Sequence, residues 1–118
     1  MSDVLDYFGE TLINEVRDRT IRLYDKKIHG TMVDEASRKI YSKLSNFDEE
    51  QKAVLEEIIA GVVDLSLHNM LCVLDEHEDI KVLVNEDNIA EVSDGLAGEL
   101  YTEDGWIERF SKQRYYEQ

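Results

Sequence analysis

The sequence predicts a mainly α-helical (α+β) single domain over residues 1–118, with a three-helix core around one long central helix, a small β-hairpin, and short C-terminal helices packed on it. Three observations carry this expectation. The stretch from Ala53 to Leu74 is almost continuously apolar behind an acidic lead of Asp48, Glu49 and Glu50. The chain before it repeats apolar residues at steps of three and four, the spacing of a helix with one buried face. After Asp79 the spacing changes to alternation, which suits short strands.

The first helix is expected to start near Ser2 or Asp3, either of which can cap it, and to run to about Ile28. Leu5, Phe8, Leu12, Val16, Thr20 and Leu23 form its stripe, widened by Ile13, Tyr24 and Ile28. Asp3, Asp6 and Glu10 suit the positive end of the helix dipole, and Lys26, Lys27 and His29 the negative end. Gly30 suits a left-handed C-terminal cap. Glu15 with Arg19 and Asp18 with Arg22 are spaced as i,i+4 pairs, so the cluster Arg17, Arg19 and Arg22 reads as solvated helix surface.

A second helix is expected from Thr31, as N-cap, to about Leu44, with Met32, Ala36, Ile40 and Leu44 as its stripe. A short link then leads into the central helix, which Asn46 or Asp48 can cap and which extends to about His77. A helix apolar round most of its circumference is expected to be buried round most of it. Some thirty residues span roughly 45 Å, long for a domain of this size, so a bend is expected at Gly61, where close approach of another helix would explain the glycine. Asp75, Glu76, Glu78 and Asp79 then place negative charge at the end of the dipole that disfavours it.

The expected hairpin pairs Ile80–Val84 with Ile89–Val92 across Asn85-Glu86-Asp87-Asn88, with a helix from Glu86 as the competing assignment. Ser93 can cap a short helix through Tyr101, and Thr102 another from Glu103 through Ser111 that buries Trp106, Ile107 and Phe110. Residues 112–118 are expected to fray.

Apolar residues at 42% and charged residues at 34% exclude a disordered chain and describe a soluble domain. The start has neither the basic nor the apolar region of an export signal, and Cys72 is the single cysteine, so a reducing cytoplasmic setting is expected. Asp64, His68 and Asn69 interrupt the apolar run, and no basic flanks border it, which argues against a membrane span. The apolar neighbours of Cys72 predict a buried, inert thiol.

The net charge of −14 is unevenly placed. Residues 1–47 are neutral overall, whereas residues 48–105 hold seventeen acids against Lys52 and Lys81. Such a surface repels phosphate, which excludes nucleic acid and anionic membranes as partners and favours a basic protein surface.

Two constellations matter for chemistry. Asp64 and His68 are four apart on the central helix with Glu57 two turns earlier, a spacing that allows a carboxylate–histidine pair to act as general base or metal ligands. Di-iron bundles require glutamate three residues before each ligand histidine, and here those positions hold Leu65 and Leu74, so no metal or cofactor is expected. The second is acidic: Asp75, Glu76, Glu78 and Asp79 with Glu86 and Asp87, continued by Asp94, Glu99, Glu103 and Asp104 among Tyr101 and Trp106. Aromatic rings among carboxylates suit a surface that meets arginine and lysine.

The favoured expectation is therefore a small acidic protein-binding domain without a catalytic centre, of the kind that covers a basic partner as a stoichiometric or immunity-type inhibitor. The alternative is a small helical enzyme using Asp64, His68 and Glu57, with or without a metal. Homo-oligomerisation is compatible with both.

Overall fold

The computed structural model describes residues 3–113. The protein is mainly helical, with a long central helix, a two-stranded antiparallel hairpin and short C-terminal helices, in agreement with the predicted class. Its dimensions are 48 × 29 × 22 Å, and a 28-residue helix of about 42 Å sets the long axis.

The first helical rod is continuous but not uniform. Helix α1 (Asp3–Thr11) passes through a π-helical segment, Leu12–Arg17, into α2 (Asp18–Ile28). A π turn holds an extra residue, so the side chains beyond it are rotated relative to an unbroken α-helix. The predicted stripe holds at Leu12, Ile13 and Ile28, which are buried, and fails between them: Val16, Leu23 and Tyr24 are exposed, while Arg17, Asp18 and Ile21 face inward. The rod ends as expected, with Gly30 in the left-handed region at φ +75°. Thr31 belongs to this cap rather than to the next helix: its backbone N–H and its hydroxyl both donate to the Lys26 carbonyl.

Helix α3 (Glu35–Lys43) begins three residues later than Thr31 as N-cap would have it. Its N-cap is Asp34, whose carboxylate accepts from the Ser37 backbone N–H at 3.1 Å. Ala36 of the predicted stripe is exposed, and the buried position is Ser37, held by Lys27 Nζ at 2.7 Å.

Helix α4 (Glu49–Glu76) starts with a full capping box between Asp48 and Gln51. It is one uninterrupted α-helix, and no described residue lies within 4 Å of a Cβ built on Gly61, so no neighbour among the described residues accounts for that glycine. Nor is α4 buried on most sides. Ala60, Asp64, Leu67, Leu71 and Leu74 form a single inward stripe at steps of three and four. Val54, Ile58, Val62, Leu65 and Val73 on the opposite face are exposed. The helix is long and apolar enough, by length and composition, to cross a membrane, and 28% of its most apolar window is buried.

The hairpin is shorter than predicted. Strands β1 (Leu83–Val84) and β2 (Asp87–Asn88) pair Leu83 with Asn88 and Val84 with Asp87. Asn85 and Glu86 both have positive φ (51° and 75°), the pattern of a tight two-residue hairpin turn. The expected second strand instead becomes helix α5 (Ile89–Val92), because the Asn88 side chain accepts from the Ala90 N–H and starts a turn. Two more short helices, α6 (Gly98–Tyr101) and α7 (Trp106–Phe110), complete the fold. Both begin later than the predicted caps: Ser93 Oγ accepts from the Gly95 N–H and donates to Glu99, so α6 starts only at Gly98, and α7 has Gly105 in place of Thr102 as its N-cap.

The core lies at the C-terminal end of α4. Leu67, Leu71 and Leu74 meet Leu12 and Ile13 from the rod, Ile89 from α5, Leu96 and Leu100, and Trp106 and Ile107 from α7. Phe8 stands edge-on to the Trp106 ring at 5.8 Å. A Cβ on Gly9 would fall 2.5 Å from the indole, so only glycine lets α1 approach that ring.

Candidate functional site

The interior of the molecule holds an ionic network that local spacing does not announce. Rotation through the π segment brings Arg17 inward against α4. There its Nε donates to Asp64 Oδ1 at 2.6 Å and its Nη2 to Asp64 Oδ2 at 3.3 Å. Its Nη1 donates to Asp18 Oδ1 and to Ser111 Oγ, both at 2.8 Å. Ser111 Oγ in turn donates to Asp18 Oδ1 at 2.9 Å, and the Lys112 backbone N–H donates to Asp18 Oδ2 at 2.6 Å. Lys112, at the head of the stretch expected to fray, is thereby held; residues 114–118 lie outside the described residues.

Arg17 and Asp64 are both 0% exposed. Burial pushes the Asp64 carboxyl above its ordinary value, and the hydrogen bonds and charge of Arg17 pull against that push, while Asp18 adds to it. The network joins the rod, α4 and the C-terminal segment. Its geometry is that of a lock, with the side chains of Arg17, Asp18 and Asp64 closed off from solvent.

This corrects the expected Asp64–His68 pair. Asp64 bonds Arg17, and the half-buried His68 turns to the other side, where its Nε2 lies 3.6 Å from Cys72 Sγ and its ring 5.5 Å from that of Tyr101. Glu57 is exposed further along the helix. The three residues of the catalytic alternative are not brought together. Cys72 is half-buried, more open than predicted.

The acidic constellation is divided by the fold. Trp106 is 1% exposed and belongs to the core, so it cannot anchor a partner. Asp75 accepts from the backbone N–H groups of Leu96 (3.0 Å) and Ala97 (3.1 Å), which explains a carboxylate at the unfavourable end of α4: it satisfies two donors of the following loop. Glu99 accepts from Ser93 Oγ. Glu76, Glu78, Asp79, Glu86, Asp87, Asp94, Glu103 and Asp104 are exposed, and Tyr101 is half-buried.

Within that set, one concavity forms. Leu74, Asp75, His77 and Glu78 from the end of α4, Ile80 and Lys81 from the strand approach, and Asn88, Ala90 and Glu91 enclose a groove of about 400 Å³. Its lining is mixed: the carboxylates of Asp75, Glu78 and Glu91 stand with His77, Lys81 and Asn88 beside the apolar Leu74, Ile80 and Ala90. Glu91 is the member that sequence reasoning missed, because it was placed in a strand; as part of the helical turn Ile89–Val92 it lines the groove with residues from the end of α4. Among the described residues, no three His, Cys, Asp or Glu side chains are grouped so that they could hold a metal ion.

No family model, curated protein or solved structure matches the chain. What the site can do therefore rests on its chemistry alone. Carboxylates beside apolar side chains complement a long cationic side chain, whose methylene stem packs on apolar groups while its charged head meets the carboxylates.

Proposed function

We propose that the protein is a non-catalytic binding domain that takes arginine or lysine side chains of a basic protein into the groove at the C-terminal end of α4. The observation that carries this reading is the groove itself, which Asp75, Glu78 and Glu91 line together with Leu74, Ile80 and Ala90, three carboxylates against the single cation Lys81. The charge distribution supports it, since the surrounding second half of the chain is strongly acidic and would steer a basic partner toward the site. An immunity-type or other stoichiometric inhibitor is the specific role that this chemistry suits: it needs tight coverage of a basic surface and no reaction. The enzyme alternative has no comparable support, because Asp64 is sealed behind Arg17 and His68 does not reach it.

The test is a titration of the protein with peptides that carry arginine and lysine next to an apolar residue, at low and at physiological salt. Saturable binding that weakens with salt, and that falls at least tenfold in Glu78→Lys/Glu91→Lys, is the expected result. Equal binding by the charge-reversed variant, or no saturation with any cationic peptide, would overturn the proposal.

A further inference from the structure

The groove at the end of α4 is lined by charge of both signs, and the two signs come from different elements. Asp75 and Glu78 stand at the end of α4 and Glu91 on α5, whereas Lys81 precedes β1 and Asn88 belongs to β2. Building on the binding role proposed above, we infer that the group bound here is the C-terminal residue of a partner chain. That residue is an arginine or lysine whose side chain meets the carboxylates and whose α-carboxylate meets Lys81 and Asn88.

Lys81 is the residue that a purely cation-binding groove does not explain. Residues 48–105 hold seventeen acids and only two cations, Lys52 and Lys81. Lys52 is accounted for by its contacts, 3.9 Å from Glu49 and 5.5 Å from the Tyr41 ring centroid. Lys81 forms no ion pair with any described residue, and it lines the groove. An ammonium there repels an incoming arginine or lysine side chain, so it opposes the cation that the three carboxylates attract. It is complementary only to a ligand that also carries an anion. Asn88 fits the same ligand: its Oδ1 is taken by the Ala90 N–H at 3.1 Å, which leaves its side-chain N–H groups as donors without a partner among the described residues. An ammonium and an amide in one lining offer a carboxylate the donors it needs.

Size favours a chain end over an internal stretch. A groove of about 400 Å³ lies near the small end of the roughly 300–1,000 Å³ typical of ligand pockets, room for one residue rather than a length of chain. A C-terminal arginine or lysine carries its cation and its anion on that one residue, and a terminal carboxylate is a recurrent handle in peptide recognition. An internal arginine followed by glutamate spreads the two charges over two residues.

The acidic second half of the chain favours the more positive of two ligands. An amidated peptide therefore outranks its free-acid twin unless a cation in the groove holds the carboxylate. Two peptides of one sequence ending in arginine, one with a free carboxylate and one amidated, are titrated into the whole chain and into Lys81→Gln, an exposed-site variant whose folding is checked by circular dichroism. The free acid is expected to bind the wild type about fivefold more tightly than the amide, the upper end for one exposed ion pair. In Lys81→Gln the order is expected to reverse. A third peptide, amidated and with glutamate after the arginine, is expected to bind no more tightly than the plain amide. Saturable binding in which the amide equals or exceeds the free acid would overturn the inference and leave the binding role standing, as would a free-acid preference that persists in Lys81→Gln. A glutamate peptide that matches the free acid would overturn the chain end as the bound group. Absence of saturation with every peptide would remove the binding role as well.

Discussion

Arg17 and Asp64 stand 47 positions apart in the chain and form a two-pronged ion pair with neither side chain open to solvent. Two carboxylates, Asp64 and Asp18, share this one guanidinium, and the remaining lone pairs are met by Ser111 Oγ and the Lys112 N–H. A buried charge is tolerated only when its partners are complete. The network is thus sensitive to the loss of any member.

Arg17→Met should destabilise the fold by about 3–5 kcal/mol, because it leaves two buried carboxylates without their cation. The double variant Arg17→Met/Asp64→Leu should recover a large part of that loss, since Asp18 keeps Ser111 and Lys112 as donors. Urea unfolding of the three proteins checks both statements. A double variant no more stable than Arg17→Met would show that the pair is not the source of the effect.

The raised carboxyl of Asp64 sets the sign of a pH effect. A group that holds its proton more tightly folded than unfolded binds more protons in the native state between the two pKa values, so stability falls as pH rises through that interval. The stability of the wild type relative to Asp64→Asn should therefore increase on acidification from neutral pH and level off below the ordinary aspartate value. Asp34 acts oppositely: its bond from Ser37 holds it below the usual value, so its contribution persists above that value and is lost as pH falls through the lowered one. Urea midpoints of wild type, Asp64→Asn and Asp34→Asn across acid pH separate the two signs.

Gly9→Ala should cost roughly 1–3 kcal/mol, because the new methyl group enters the Trp106 ring and the helix or the indole must shift. Trp106 fluorescence should change with it. The same substitution at Gly61, where the Cβ meets nothing within the chain, should leave a monomer unharmed and stabilise it by about 1 kcal/mol through helix propensity.

Glu86→Gly should stabilise the hairpin by about 1 kcal/mol, since Glu86 sits at φ +75° in a turn that Asn-Gly fills without strain. Thermal unfolding checks this, and the gain should vanish when Asn85 is also replaced by proline, whose φ cannot be positive.

Parts of this molecule were legible because their chemistry is local. Asp48 and Gln51 lie within one turn of each other and announce the start of α4, and Gly30 announces the end of the rod. Arg17 was not legible, because an inserted π turn leaves the apolar spacing intact up to Leu12 and rotates only the residues beyond it. The i,i+4 spacing of Asp18 and Arg22 then suggested a surface pair, whereas Asp18 turns inward to Arg17 and Ser111. Asp64 and His68 illustrate the limit of spacing from the other side: four residues apart they can meet, but a guanidinium from a distant helix offers Asp64 two charge-assisted bonds and an imidazole at most one. The acidic groove was half legible, since its charge was visible in composition but Glu91 needed the turn at Asn88 to bring it in.

The off-centre core has a consequence in time as well as in space. Leu67, Leu71 and Leu74 are gripped from several sides, but the first three turns of α4 contribute no fully buried side chain, and α3 contributes only Ser37. Opening of α3 away from α2 would expose little apolar surface, so its amide protons should exchange with solvent well before those of Leu71 or Ile107. The protein should behave as a slow-exchanging head on a faster-exchanging stem, and whatever settles on the outer face of α4 would be read first as protection in that stem.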